Sequence, residues 1–364
     1  MVACFSTIVG LYKRVLGIYS ESHIRAIIHH LNKDVPTATF FTDSIKLLNV
    51  LKVDKENKII QNTLRKRYIL TDIFEYGKGS NSVIYTNEES NFVFKEIQFN
   101  IADPVELEQK VRELFLELFV QTVLSSDPNY GKNICKAMMC YRSENTYTIS
   151  GQFNLYIQME YLPENLNRYM QRIKIGDLAQ ITDMLPLFRT ICTIMKYFQN
   201  TYMFSHNDLH INNIMFSGND TLKLIDFGMS SIWYNDVHYA IEPNNIVKQP
   251  SYPRELPVYK STEIEQSYDM LIFFASFLSC NKSKVYSDEL FSYIRDIFET
   301  ENGLNLYTYW EQEFTKDPTI PIFHRLYSWI IEESWPDDMK EELRISQDRY
   351  SYDGILQYLD QEKK

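Results

Sequence analysis

SHNDLHINNIMF, residues 205–216, sets His206 and His210, Asp208, and Asn207, Asn212 and Asn213 between Phe204 and an apolar Ile-Met-Phe. Two chemistries ask for so many polar heads. His206 and His210 are four apart and on a helix would share a face, as a zinc-binding pair does, although the glutamate that completes that motif is missing. Alternatively the stretch is a catalytic loop, in which Asp208 and Asn213 reach a substrate and an ion while the apolar neighbours anchor the backbone. The flanking sequence decides between them.

The chain has 364 residues, 45% hydrophobic and 14% aromatic. That is enough to bury a sizeable core, in one large bilobal unit or two ordinary domains. With 37 basic against 48 acidic residues the net charge is -11. No nucleic-acid partner is expected from that balance, and any phosphate chemistry falls to a local cluster of positive groups. Cys4, Cys135, Cys140, Cys192 and Cys280 are odd in number, scattered and never in a C-x-x-C pair. Neither a zinc ribbon nor a disulfide framework is indicated, and a reducing cytoplasm is the expected location. The start, MVACFSTIVGLYKRVLGIY, has its basic pair after the apolar run and no small-residue cleavage site. It reads as an amphipathic helix carried by Leu11, Val15, Leu16 and Ile18 rather than a signal peptide. No stretch approaches the roughly 18 uninterrupted apolar residues of a membrane span.

Residues 1–66 read as a helical extension with a polar end, KVDKENKIIQNTLRKR, and no catalytic constellation. From Tyr68, YILTDIFEYGKGSNSVIYTNEESNFVFKEIQF has β-branched and aromatic runs broken by Gly-Lys-Gly-Ser-Asn and Asn-Glu-Glu-Ser-Asn. This predicts three strands joined by two turns. A long helix is expected to open at Asp103-Pro104, with Val111, Leu114, Phe115 and Leu118 on its apolar stripe. Strands return at 134–141 and 153–161. Beyond Leu162 the pattern is mainly helical, interrupted at 205–228 by the opening loop and the strand-like NIMF and LKLIDF.

In EYGKGSNSVIY, Gly77, Gly79 and Ser80 fall at a strand-to-strand turn whose small side chains would let backbone N–H groups close over phosphates. An ordinary hairpin would look the same. Lys95 is a lone lysine among Phe92, Val93, Phe94 and Ile97, either snorkelling from its strand or serving as a buried amine in a phosphate site. The second role needs a carboxylate, and the following helix offers Glu113 and Glu117. Glu117 keeps the more apolar company, with Phe115, Leu116, Leu118, Phe119 and Val120, and is the preferred partner.

The order of Gly-rich turn, strand lysine, helix glutamate, His-x-Asp-x-x-x-x-Asn and Asp-Phe-Gly resembles the protein kinase superfamily over residues 68 to about 280. The resemblance implies an α+β, bilobal protein-kinase-like fold: the helical extension 1–66, a small β-rich N-lobe and hinge at 67–162, and a helical C-lobe at 163–364. It implies ATP-dependent transfer of the γ-phosphoryl group to Ser/Thr hydroxyls of a protein substrate, with Mg2+ as cofactor. The extension would dock on the kinase domain or on a partner. QMEYL, residues 158–162, looks like the hinge, with Met159 as gatekeeper and the backbone of Glu160 and Leu162 facing adenine. Gly77, Gly79, Ser80 and Val83 would cover the nucleotide. Lys95, fixed by Glu117, would hold the α/β-phosphates, Asn213 and Asp226 the Mg2+, and Asp208 the acceptor's proton. His206 would brace the loop against the Asp-Phe-Gly segment, and Asp269 of SYDMLIFFASF would brace it from a buried helix.

Departures from the pattern matter as much. Asn207 replaces the arginine of His-Arg-Asp, so no cation receives an activation-loop phosphate, and activity is expected without phosphorylation between Met229 and Tyr268. His210 replaces a lysine, a pattern shared with small-molecule phosphotransferases of the aminoglycoside kinase type. Adjacent phosphates are expected to hold it as a catalytic cation, so that activity falls from about pH 7 to 9. Ala-Pro-Glu is absent, SYPRE at 251–255 being a degenerate candidate. The Asn/Ile/Tyr-rich composition is similar to that of the divergent serine/threonine kinases of large DNA viruses, which would place the chain in a host cytoplasm. The alternatives to a protein kinase are a small-molecule kinase on the same fold and a pseudokinase binding module. Retention of Lys95, Asp208, Asn213 and Asp226 argues against the last.

Overall fold

The computed structural model describes residues 48–63, 65–78, 82–100, 103–143, 152–166, 168–169, 181–234, 237–240, 269–279, 287–300, 303–308, 312 and 351–361. The helix expected around Leu11, the turn residues Gly79 and Ser80, and SYPRE lie outside them. The chain divides into two compact units, one of Met1–Pro163 with Ser217–Gly228 and Trp233–Ile241, the other of Glu164–Phe216 with Met229–Ile232 and Glu242–Lys364.

The first unit is built on an eight-stranded sheet. Its strands are β1 (Asn49–Asp54), β2 (Ile59–Asn62), β3 (Arg67–Leu70), β4 (Phe74–Lys78), β5 (Ser82–Thr86), β6 (Phe92–Asn100), β7 (Ala137–Ser143) and β8 (Gln152–Glu160). Across the sheet they run β3-β2-β1-β7-β8-β6-β5-β4. The predicted meander is β4-β5-β6, but its first run splits. Arg67–Leu70 pairs with β2, and the chain breaks at Thr71–Ile73, where Asp72 takes a left-handed φ of 54°.

The helix expected through residue 66 does not exist over 48–63, where the sheet already begins. Val50, Leu51, Val53, Ile59 and Ile60 favour a pleated, half-buried surface, and the charged run between them is a turn. Asp54 accepts from the Asn57 N–H and side-chain amide, both at 3.0 Å, and Lys58 has φ 54°. This hairpin curls back over the sheet: Lys55 Nζ lies 3.4 Å from the buried Glu96 carboxylate of β6 and 5.3 Å from the Tyr85 ring centroid. Glu96 also accepts from Tyr85 Oη at 2.7 Å, Tyr156 Oη at 3.1 Å and Asn154 Nδ2 at 2.5 Å, so its burial is compensated. Leu51, Ile60, Tyr85, Phe94, Tyr141 and Tyr156 form the core on this side.

Helix α1, Pro104–Ser125, starts where expected. Asp103 Oδ1 accepts from Glu106 N at 3.0 Å, and Pro104 occupies a first-turn position that needs no N–H. Every residue from Leu114 to Val120 is buried, Glu117 included.

In the second unit, β9 (Glu164–Asn165) pairs antiparallel with β10 (Ile214–Phe216). Its helices are α2 (Ile181–Tyr202), α3 (Asp269–Ser279), α4 (Asp288–Asp296) and α5 (Tyr352–Gln361). Phe188 of α2 meets Phe273, Phe274 and Phe277 of α3 edge-on, with centroids 5.7, 5.4 and 5.0 Å apart. Residues 270–278 of α3 are buried on all sides, which is why this helix reads as a continuous apolar run.

Among the described residues no helix is long and apolar enough to cross a membrane. Cys135, Cys140 and Cys192 are free and buried. Burial pushes the Cys135 and Cys140 thiols up to about 12 and raises Cys192 as well. Since the thiolate is the nucleophile, all three should resist iodoacetamide at pH 8 in the native protein and react once it is denatured, as peptide mass spectrometry would show. Rapid native labelling of any of them would contradict this packing.

Candidate active site

The polar constellation around Lys95 belongs to the first unit. Residues directly opposite in a ladder share a face, and Lys95 of β6 lies opposite Ile84 and Ile157, while Val93 lies opposite Met159. Gly77, opposite Ile84, continues that face. Val83 does not belong to it: it pairs with Glu96 and packs on the Tyr85–Phe94 core on the other side. Val83 therefore does not share the Lys95 face on which it was expected, and its neighbour Ile84 does, a one-residue difference that the period-2 alternation turns into opposite faces. A Cβ added at Gly77 would meet nothing within 4 Å, so packing alone does not demand glycine there. The strand register shifts between Glu75 and Gly77, an irregularity at which glycine is common.

Lys95 Nζ lies 2.7 Å from Glu117 Oε1 and 3.7 Å from Asp226 Oδ1. Their side chains are 13%, 8% and 51% exposed respectively, so a buried cation and anion meet a carboxylate open to solvent. Burial alone would lower the lysine's pKa, but the Asp226 and Glu117 carboxylates more than reverse this and hold the ammonium above the ordinary lysine range. Burial pushes Glu117 up, against the pull of Lys95. Asp226 takes a left-handed φ of 64°, a conformation aspartate tolerates better than bulkier residues, and Phe227 behind it is fully buried.

Around Met159–Pro163 the sequence left contacts unread. The Glu160 carboxylate pairs with buried Lys223 at 2.9 Å. Tyr76 Oη lies 2.9 Å from the Leu162 carbonyl oxygen and 2.6 Å from that of Pro163, and its ring meets Tyr161 edge-on at 5.4 Å. These ties link the glycine-bearing strand β4 and the strand Leu222–Leu224 to the end of β8. No local pattern announces them, since the partners lie 63 to 87 residues apart.

The second unit carries the other constellation. Residues 205–213 form a loop ending in a 3₁₀ turn at Ile211–Asn213, so His206 and His210 do not share a helix face and the zinc-pair reading fails. Among the described residues no cluster of His, Cys, Asp and Glu could hold a metal. The Asn213 amide donates to the Asp208 carbonyl at 2.8 Å and to Asp208 Oδ2 at 3.2 Å, fixing the carboxylate. Turned this way, Asn213 directs its amide oxygen away from Asp208. An amide oxygen and a carboxylate such as Asp226 are hard oxygen ligands of the kind Mg2+ takes, so the donor chemistry fits the ion.

The loop hangs on Asp269. Its Oδ2 accepts from His206 N at 2.8 Å, and its Oδ1 accepts from Asn207 N at 2.8 Å; Ser205 Oγ lies 3.3 Å from Oδ2 but donates over the shorter 2.7 Å to Asn207 Oδ1. Ser230 Oγ donates to the His206 carbonyl at 3.2 Å, and Ser205 and Ser231 exchange backbone hydrogen bonds at 2.9 and 3.0 Å. Asn207 has φ 61°, which asparagine tolerates better than most residues, and its amide donates to the Met229 carbonyl at 3.0 Å.

His210 caps the turn that follows it. Its Nδ1 accepts from Asn212 N at 3.2 Å, capping the 3₁₀ turn, while Nε2 lies 3.7 Å from Asp208 Oδ2. While Nδ1 accepts from Asn212 it carries no proton, and the Nε2 side of the ring faces the Asp208 carboxylate.

Residues 72–271 match the protein kinase domain family, and the chain belongs to it. It is 32% identical over 152 residues to eukaryotic translation initiation factor 2-alpha kinase 2 of Plasmodium berghei (strain Anka), a match covering 42% of this chain and 5% of that much longer protein. Among solved structures it is similar to a chain of the CAK complex of Chaetomium thermophilum bound to ATP-gamma-S, at 17% identity and a TM-score of 0.34, covering 44% of this chain and 47% of that one. Neither relative bears on the likeness to viral kinases. The fold is the α+β protein kinase fold, with a curled β-sheet N-lobe and a helical C-lobe.

Proposed function

We propose that this protein kinase uses ATP to phosphorylate serine or threonine hydroxyls of protein substrates, in a reducing cytoplasm. The observation that carries the reading is the buried Lys95 ammonium, paired at 2.7 Å with Glu117 and 3.7 Å from Asp226. A lysine held charged in a dry setting is a preorganised clamp for phosphate oxygens, and such electrostatic positioning is the main contribution a protein makes to phosphoryl transfer. Lys95 holds the α/β-phosphates, and the Gly77 turn and Ile84 lie over the nucleotide. Met159 and the backbone of Glu160 and Leu162 take the base. Asp208, oriented by the Asn213 amide, accepts the proton as the acceptor oxygen bonds to the γ-phosphorus and the bond from that phosphorus to the β,γ-bridging oxygen breaks. Asn213 and Asp226 are the residues that would hold Mg2+, which would supply neutralisation of phosphate charge.

The test is γ-labelled ATP with generic protein acceptors, among them translation initiation factor 2-alpha, which the name of the Plasmodium relative suggests, beside a panel of amino and hydroxyl small molecules. Label should enter protein. Label confined to a small molecule would establish the aminoglycoside-kinase type of activity instead, and nucleotide binding without transfer would make the chain a pseudokinase.

A ring whose Nδ1 keeps accepting from Asn212 N is uncharged, and on that reading kcat at saturating Mg-ATP should stay level between about pH 7 and 9, because no imidazolium is lost over that range. His210→Asn, whose amide oxygen can still cap Asn212, should retain more activity than His210→Ala. A falling alkaline limb abolished in His210→Lys would restore the cation.

A further inference from the structure

We propose that helix α5 positions the catalytic loop, with Tyr352 as the positioning residue acting through Asp269; the proposal rests on the reading of Asp208 as the proton acceptor. Tyr352 Oη, at the first turn of α5, donates to Asp269 Oδ2 at 3.3 Å. The same oxygen accepts from His206 N at 2.8 Å. Asp269 and Tyr352 are 1% and 4% exposed, so water does not compete for this contact. The phenol helps fix a carboxylate on which two consecutive backbone amides of the loop depend, and Asp208 follows them directly.

The helix that carries Tyr352 is held to α2 and α4 by contacts that have no part in the chemistry. Arg189 donates to Asp360 Oδ1 at 2.5 Å and to the Leu359 carbonyl at 3.0 Å. Lys196 pairs with Asp353, and Cys192 Sγ donates to the Tyr352 carbonyl at 3.5 Å. Tyr293 and Tyr358 each donate to the other's carbonyl, at 3.0 and 2.7 Å, with ring centroids 4.6 Å apart. Docking of α5 sets where the phenol stands, the phenol sets the carboxylate, and the carboxylate sets the His206–Asn207 backbone. Loosening α5 therefore lowers turnover without altering a group that touches substrate.

Two variants of the full chain test this, Tyr352→Phe, which deletes only the hydroxyl, and Asp353→Lys, which replaces the Lys196 ion pair by repulsion and is paired with Lys196→Asp/Asp353→Lys as the rescue. Each is followed by hydrogen exchange of the amides at 205–208, which is independent of any activity, and by steady-state kinetics. Tyr352→Phe should speed exchange at His206 and Asn207 while amides within α2 keep their protection, and should lower kcat about three- to tenfold with KM for ATP unchanged. Asp353→Lys should move both readouts the same way and the double swap should return them. If Tyr352→Phe fails to fold, the Asp353→Lys pair decides alone. Unchanged exchange at 206–207, or a uniform loss of protection with no kcat-specific effect, overturns the proposal. An inactive wild type whose 206–207 amides still respond would instead remove the catalytic reading and leave the mechanical link standing.

Discussion

Lys95→Met should lower kcat/KM for ATP about a thousandfold, equivalent to roughly 4 kcal/mol of transition-state stabilisation, while the protein stays folded. Methionine nearly matches the lysine stem in length and packs in the same apolar strand, so the change removes the charge and little else. It leaves Glu117 buried at 8% exposure without its cation. Burial already pushes that carboxyl up, so it can take a proton rather than stay charged, which limits the cost to the fold. The phosphate oxygens have no such escape, because the ammonium was oriented for them before they arrived. Circular dichroism and steady-state kinetics check this together. A folded variant within tenfold of wild type, about 1.4 kcal/mol, contradicts the clamp.

Asp269→Ala should be the most damaging change away from the substrate groups. It removes the carboxylate that accepts from the His206 and Asn207 N–H groups and the Tyr352 hydroxyl, whereas Ser205 Oγ keeps Asn207 Oδ1 at 2.7 Å. An unsatisfied buried donor costs about 1–3 kcal/mol, so a loss of roughly 3–5 kcal/mol is expected after partial relaxation. Urea unfolding measures it. Turnover should fall further than the loss of folded protein accounts for, because the loop loses its geometry. A variant losing under about 1 kcal/mol would show that the loop finds other partners.

How much of this was legible in the sequence depends on the range of the contact. Lys95 and Glu117 were readable because each is a charge set in an apolar run, and such a charge demands a partner. Asp269 was readable from the likeness of SYDMLIFFASF to a buried helix of the kinase family that opens on an aspartate. Residues 49–62 were misread as helix because the charged KVDKENK looked like a helix surface, whereas the β-branched residues flanking it were the better guide. Val83 was one position off, and a strand gives no tolerance for that: Ile84, opposite Lys95, shares its face. Tyr352 and Lys223 carried no signal, since neither sits in a pattern and their partners lie 83 and 63 residues away. The state of His210 was hidden for another reason, because the identity of a residue says nothing about which ring nitrogen is already occupied by the backbone.

The central claim is that Asp208 serves the acceptor hydroxyl, and Asp208→Asn tests it most directly. Asparagine keeps the shape and an oxygen toward the Asn213 amide but removes the basic carboxylate. Single-turnover transfer from γ-labelled ATP to a protein acceptor, measured beside Mg-ATP affinity in the same sample, should show affinity within about threefold of wild type and a transfer rate lowered at least a hundredfold, in line with the share a general base contributes. Transfer at the wild-type rate with unchanged affinity would contradict the account.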